Sequence, residues 1–159
     1  MRVKVVNVVL MRHGRAGTAR SDEERRLSSE GEEGVRRVAE KLGALGLSSP
    51  GVISSPLVRA VETAEIVAEA IGAVSVSTSV RLKPGLGVEG PIELLRGLPP
   101  AGDLVLIGHQ PDMGILAAFI CAVPVIRLSP GEAVCISILD PGTFLSGELV
   151  CVISPEQAV

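Results

Sequence analysis

Aromatic residues are nearly missing from this chain of 159 residues: it has two phenylalanines, Phe119 and Phe144, and neither tryptophan nor tyrosine. Its core must be assembled from Val, Ile, Leu and Ala, and no aromatic platform exists on which nucleic-acid bases could stack. A basic excess is lacking too. Fifteen Lys and Arg stand against eighteen Asp and Glu, which argues against a general nucleic-acid surface. Cysteine is scarce and odd in number. Cys121, Cys135 and Cys151 lie in apolar surroundings without tight spacing, a pattern that fits neither a disulfide framework nor a zinc site. No apolar run reaches the length of a membrane span. The apolar start, Met1 to Leu10, is short and runs into Arg12 and His13, unlike a signal peptide. The expectation is a soluble, cytoplasmic protein.

What is present suits a packed domain. Hydrophobic residues make up 47% and charged residues 21%, and the length fits one domain over residues 1–159 better than two. Val3 to Leu10 is an almost unbroken apolar run rich in valine, which predicts a central strand buried on both faces. Ser29 and Glu32 have capping-box spacing at the head of a helix carrying Val35, Val38, Ala39, Leu42 and Leu45 and running to about Gly46. Val52-Ile53 predicts a short strand. Ser55-Pro56 predicts a cap and first turn for a helix over 56–71, closed by Gly72. Val74 to Val80 alternates as a half-buried strand does. Residues 82–91 read as a Gly- and Pro-rich loop, and Pro91 to Leu98 as a short helix. A second buried strand follows at Asp103 to Gly108, then a helix from Pro111 to Cys121. Further strands are expected near 124–128, 133–139 and 148–153, with turns at Pro130-Gly131 and Pro141-Gly142. The alternation gives an α/β fold, a three-layer sandwich with a central, mostly parallel (mixed) sheet flanked by helices.

In open α/β sheets, ligands bind beyond the carboxyl ends of strands. The chain has only two histidines, and both fall there: His13 after the first buried strand, His109 after the second. Arg59, in the first turn after the 52–53 strand, reaches the same edge. Arginine suits the oxygens of a phosphoryl group, because its planar fork donates several hydrogen bonds at fixed charge. A neutral imidazole with one unprotonated nitrogen suits a nucleophile, and neighbouring arginines favour that neutral form. Gly14 is expected to let the backbone approach a phosphate and to expose its N–H. Outside such a pattern His13, His109 and Arg59 would each be ordinary structural residues, and the charge run Asp22-Glu23-Glu24-Arg25-Arg26 an ordinary solvated loop.

The motifs carry a resemblance. Leu10-Met11-Arg12-His13-Gly14 resembles the Arg-His-Gly motif of the histidine phosphatase superfamily, branch 1. Ser54-Ser55-Pro56-Leu57-Val58-Arg59-Ala60-Val61-Glu62-Thr63 resembles its second motif. Ile107-Gly108-His109-Gln110-Pro111 resembles its third, and the order along the chain is the family's. The short length, and Arg25-Arg26-Leu27-Ser28-Ser29-Glu30-Gly31, resemble the SixA-type phosphohistidine phosphatases. Three positions depart from the family's pattern: Arg26 stands where proline is usual, Glu62 where glutamine is usual, and Gln110 where asparagine is frequent.

The resemblance implies a phosphoglycerate-mutase-like fold and catalysis through a phosphohistidine on His13. It implies that Arg12, Gly14, Arg25, Arg59 and His109 bind the phosphoryl group, with Arg26 an alternative to Arg25. No cofactor and no metal are implied. A general acid, where one is used, would be sought at Glu89, although an exposed loop glutamate is the plainer reading there. The substrate implied is phosphohistidine on a protein, such as a phosphorelay domain. Two alternatives are a phosphatase for small sugar or nucleotide phosphate esters and a module that binds phosphate without turnover. No nucleic acid or membrane partner is implied, and no oligomeric state.

Overall fold

The computed structural model describes residues 5–97, 102–139 and 145–156. Val3, Leu98, Phe144, Gln157 and the turn at Pro141-Gly142 lie outside the described residues. Six strands form one sheet: β1 (Val5–Arg12), β2 (Gly51–Ser54), β3 (Ser75–Thr78), β4 (Leu104–Gly108), β5 (Ala133–Leu139) and β6 (Gly147–Ile153). Their order across the sheet is β3-β2-β4-β1-β5-β6. The first four are parallel to one another, and β5 and β6 add antiparallel. This is the mixed, mostly parallel sheet that the alternating pattern predicts.

Side chains alternate across a strand, so β1 and β4 each feed two cores. Val8, Leu10, Leu104 and Leu106 face one cluster with Leu95 of α3 (Glu89–Arg96) and Leu116 and Ile120 of α4 (Asp112–Cys121). Val9, Met11, Val105 and Ile107 face the other, with Val35, Val38 and Leu42 of α1 (Ser29–Ala44) and Ala60, Ala64 and Val67 of α2 (Val58–Ile71). Both faces of the central strands are thereby covered, which is why those strands read as continuous apolar runs. Among the described residues no helix is long and apolar enough to cross a membrane, and the three cysteines are free thiols.

Several local boundaries differ from the sequence reading, each for a physical reason. The cap of α1 is Ser28, not Ser29, and its side chain accepts from the Gly31 N–H. Helix α2 starts at Val58, two residues later than expected, because Ser55 and Pro56 form the turn that leaves β2. Gly72 closes it in the left-handed conformation, as expected. Strand β3 is exposed rather than half-buried, since it lies at an edge of the sheet with β2 as its one neighbour. Helix α3 begins at Glu89, inside the expected loop. Segment 124–128 is not a strand. Its apolar residues serve the core through Leu128, and β5 already has β1 and β6 on its two sides.

Candidate active site

Backbone hydrogen bonds tie the carboxyl ends of three parallel strands together. His13 N–H donates to Gly108 O at 3.1 Å, and Ser55 N–H to Ile107 O at 2.9 Å. The residues just past β1, β2 and β4 therefore meet at one edge. The His13 and His109 rings lie there with centroids 5.0 Å apart and planes 58° to each other. Both residues are buried, as is Arg59.

The hydrogen bonds of His13 decide its tautomer. Its Nδ1 lies 2.7 Å from Gly14 O, a carbonyl that can only accept, so Nδ1 carries the proton. The lone pair is then on Nε2. Arg59 Nε–H donates to that nitrogen at 3.3 Å, which fits an unprotonated Nε2. The arrangement presents one nucleophilic nitrogen toward a guanidinium.

Arg59 is held from the opposite side. Its Nη1 donates to Asp22 O at 2.7 Å and its Nη2 to Asp22 Oδ2 at 3.0 Å. The other carboxylate oxygen, Asp22 Oδ1, accepts from Arg25 Nη1 at 3.1 Å, and Arg25 Nε donates to Gly17 O at 2.9 Å. Arg12 Nη1 donates to Leu128 O at 3.1 Å. His109 Nε2 lies 2.8 Å from Ser55 Oγ. That hydroxyl also accepts from Leu57 N–H at 3.2 Å, so Ser55 braces His109 in addition to making the turn. Two buried polar atoms of this cup, Arg12 Nε and His109 Nδ1, have no partner among the described residues. An unpaired buried polar atom costs about 1–3 kcal/mol, so a ligand that satisfied them would gain on binding.

The structure separates Arg25 from Arg26. Arg25 belongs to the cup, and its charge is felt by His13. Arg26 turns to Glu62 Oε2, at 3.0 Å from Nη2. Glu62 Oε1 also accepts from Leu27 N–H at 2.9 Å. Two of the departures from the family's pattern, Arg26 and Glu62, thus pair with each other. The third has a local role as well, because Gln110 Oε1 accepts from Gly114 N–H at 2.8 Å.

Two expectations need correction. The Gly14 N–H does not face an incoming phosphate; it donates to Thr63 Oγ1 at 3.1 Å, and Thr63 in turn donates to Arg59 O. Glycine is required there for packing, because a Cβ would stand 2.5 Å from Val35 Cγ2 and 3.1 Å from Gly31 O. Gly31 answers the same need from α1, where a Cβ would fall 2.0 Å from Arg15 O. Glu89 does not join the cup. It is the exposed first residue of α3, and its side chain makes no hydrogen bond or ion pair among the described residues. The carboxylate that reaches the cup is Asp22. It was hidden in the sequence by the charge run around it, and only the folding of the 15–27 loop onto Arg59 singles it out.

Burial is the first cause that lowers the His13 pKa, from 6.5 to about 4, with Arg59, Arg12 and Arg25 adding to it against the opposing hydrogen bond to Gly14. Burial also leads for His109, lowered from 6.5 to about 3, helped by His13, Arg59 and Arg12 and opposed by Asp22. Both rings are therefore neutral at neutral pH. Between 6.5 and these depressed values the unfolded chain binds more protons than the folded one. This contribution to stability is complete above pH 6.5 and is lost as pH falls toward 4 and then 3. Because the chain has only two histidines, an NMR titration resolves both rings. Midpoints near 4 and 3 are expected; a midpoint near 6.5 for either ring would contradict the burial argument.

Comparison with known proteins bears on the family and the fold. The family description of the histidine phosphatase superfamily (branch 1) matches residues 8–86. An uncharacterised protein of Picosynechococcus is 34% identical over 118 residues, 69% of each chain. The structure of the protein histidine phosphatase SixA complexed with tungstate superposes with a TM-score of 0.84 at 26% identity, over 94% of this chain and 97% of that one. A phosphoglycerate mutase of Plasmodium falciparum shares the fold, with a TM-score of 0.69 at 17% identity over 93% and 90% of the two chains. The chain belongs to the histidine phosphatase superfamily, branch 1. Within it, its structure is similar to that of SixA, and membership supports phosphatase activity.

Proposed function

We propose that the chain is a cofactor-independent phosphatase acting on phosphohistidine of a partner protein, such as a phosphorelay domain. The observation that carries this reading is the His13 ring, with Nδ1–H tied to Gly14 O and Nε2 turned to Arg59. In the first step, Nε2 of His13 bonds to phosphorus. The P–N bond of the substrate breaks, and its electron pair leaves with the substrate imidazole, which takes up a proton. In the second step, water attacks phosphorus and the bond to His13 breaks. Inorganic phosphate departs, and the water proton passes to phosphate or solvent. Arg12, Arg25 and Arg59 neutralise the equatorial oxygens, and His109 stabilises the charge developing there.

Two features favour a nitrogen-bound phosphoryl group. The carboxylate at the cup, Asp22, is held ionised by its hydrogen bonds from Arg25 and Arg59, so it is a poor proton donor while it stays there. An imidazole leaves more readily than an alkoxide and needs less proton donation. Beside the cup lies a groove of about 480 Å³ lined by Glu23, Glu24, Pro56, Leu57, Val58, Val80 and Lys83. With two glutamates and one lysine it suits a polypeptide better than a second phosphate.

The test compares turnover of a phosphohistidine protein with that of p-nitrophenyl phosphate and sugar phosphates. Preference for the phosphoprotein supports the reading. Faster turnover of sugar phosphates would replace it with the small-ester alternative, and binding without turnover would leave a phosphate-recognition module. Glu89→Gln is expected to keep kcat within about twofold, as suits a surface residue; a drop of tenfold or more would restore Glu89 as an acid.

A further inference from the structure

The cup already holds an anion of its own. The Asp22 carboxylate spans Arg25 Nη1 and Arg59 Nη2, at 3.1 and 3.0 Å, and its charge is felt at His109. It engages hydrogen-bond donors of the two guanidiniums that the proposed function assigns to the phosphoryl oxygens. The residue sits on an exposed 3-10 turn (Asp22–Glu24) with no buried residue, so its side chain is free to leave without disturbing the core. Resting on the reading of the cup as a phosphoryl site, we propose that Asp22 is a specificity-determining residue that sets the affinity threshold of the cup. Its carboxylate competes with any entering oxyanion. A ligand that binds only through a phosphoryl group must displace it unaided. A phosphorylated protein brings further contacts along the adjoining groove and outcompetes it.

This competition has a function in turnover. Inorganic phosphate, the product, has no contacts beyond the cup, so the returning carboxylate helps to expel it. An occupied site lowers apparent affinity by the fraction of molecules that are open, and charge repulsion adds to that. Asp22 is thereby distinct from a brace. A brace that merely positioned Arg25 and Arg59 would strengthen phosphate binding, whereas a resident anion weakens it.

The opposite signs make the test decisive. Binding of inorganic phosphate and of tungstate is measured by calorimetry on wild type, Asp22→Asn and Asp22→Ala, with folding checked by circular dichroism. Both variants are expected to bind inorganic phosphate more tightly, on the order of tenfold. Unchanged or weaker binding in the two variants would overturn the proposal and leave Asp22 a brace. Hydrogen exchange on the wild type gives an independent reading that needs no variant. Tungstate should speed exchange at the amides of Glu24 and Arg25, whose turn hydrogen bonds to Ser21 O and Asp22 O lose the support of the carboxylate contact; protection there would count against displacement. If wild type and variants alike bind neither anion, the cup itself has been misread, which is a different failure from binding without a gain in the variants.

Discussion

His13→Ala is expected to abolish turnover, with kcat reduced on the order of 10⁴-fold or more, the scale seen when a covalent nucleophile is removed. Binding of tungstate should persist in this variant, because Arg12, Arg25, Arg59 and His109 keep their places. The split between lost chemistry and kept affinity marks His13 as nucleophile rather than as a structural ring. His13 is buried, donates to the next residue's carbonyl and accepts from Arg59 Nε–H, so the truncation leaves a small void and frees one donor of Arg59, whose Nη atoms stay tied to Asp22. Hydrolysis that survived the change would refute the covalent route outright. The check is stopped-flow or phosphate-release kinetics beside calorimetry on the same preparation.

Arg59→Ala is expected to lower kcat/KM on the order of 10³-fold, the scale for losing an arginine that stabilises a phosphoryl transition state. Arg59 is the hub of the cup: its Nε faces His13 Nε2 and its Nη atoms hold Asp22. Arg59→Lys should recover only a small part of the loss. A lysine restores the charge but has no planar fork to serve two partners at once. A second readout separates this role from damage to the fold. Arg59 helps to hold the His13 pKa down to about 4, so the His13 titration should move upward in the alanine variant and return part of the way in the lysine variant. An unmoved His13 midpoint with a full loss of activity would assign Arg59 a purely structural role.

Much of this architecture was legible in the sequence, for identifiable reasons. Val8 to Met11 and Leu104 to Ile107 are apolar on both faces, and only a central strand covered on both sides uses such a run. The two histidines and Arg59 follow strands directly, so the rule of strand ends located them. Position in a strand order was not legible. Val74 to Val80 has the alternation of a half-buried strand, yet as the edge strand β3 it is exposed throughout. Side-chain accounting was hidden as well. Nothing in the spacing of Gly14 and Thr63, 49 residues apart, discloses that one occupies the other's N–H. The pairing of Arg26 with Glu62 likewise joins two positions that looked like unrelated departures. A glutamine at position 62 could also accept from Leu27 N–H, but only a carboxylate matches the charge of Arg26.

The role of Asp22 was the least legible of all. In sequence it is one of three consecutive acidic residues, and such runs are ordinarily solvated. The fold distinguishes them, because Asp22 alone among them bonds the two cup arginines while Glu23 and Glu24 line the neighbouring groove.

At the centre of the account stands a phosphorus–nitrogen bond formed on a single imidazole, and brief exposure to radiolabelled phosphoprotein followed by rapid denaturation tests it directly. The label should stay with the chain in alkali, be lost in acid, and map to the peptide containing His13. A label that survives acid, or that maps to His109 or to any other residue, would contradict the account.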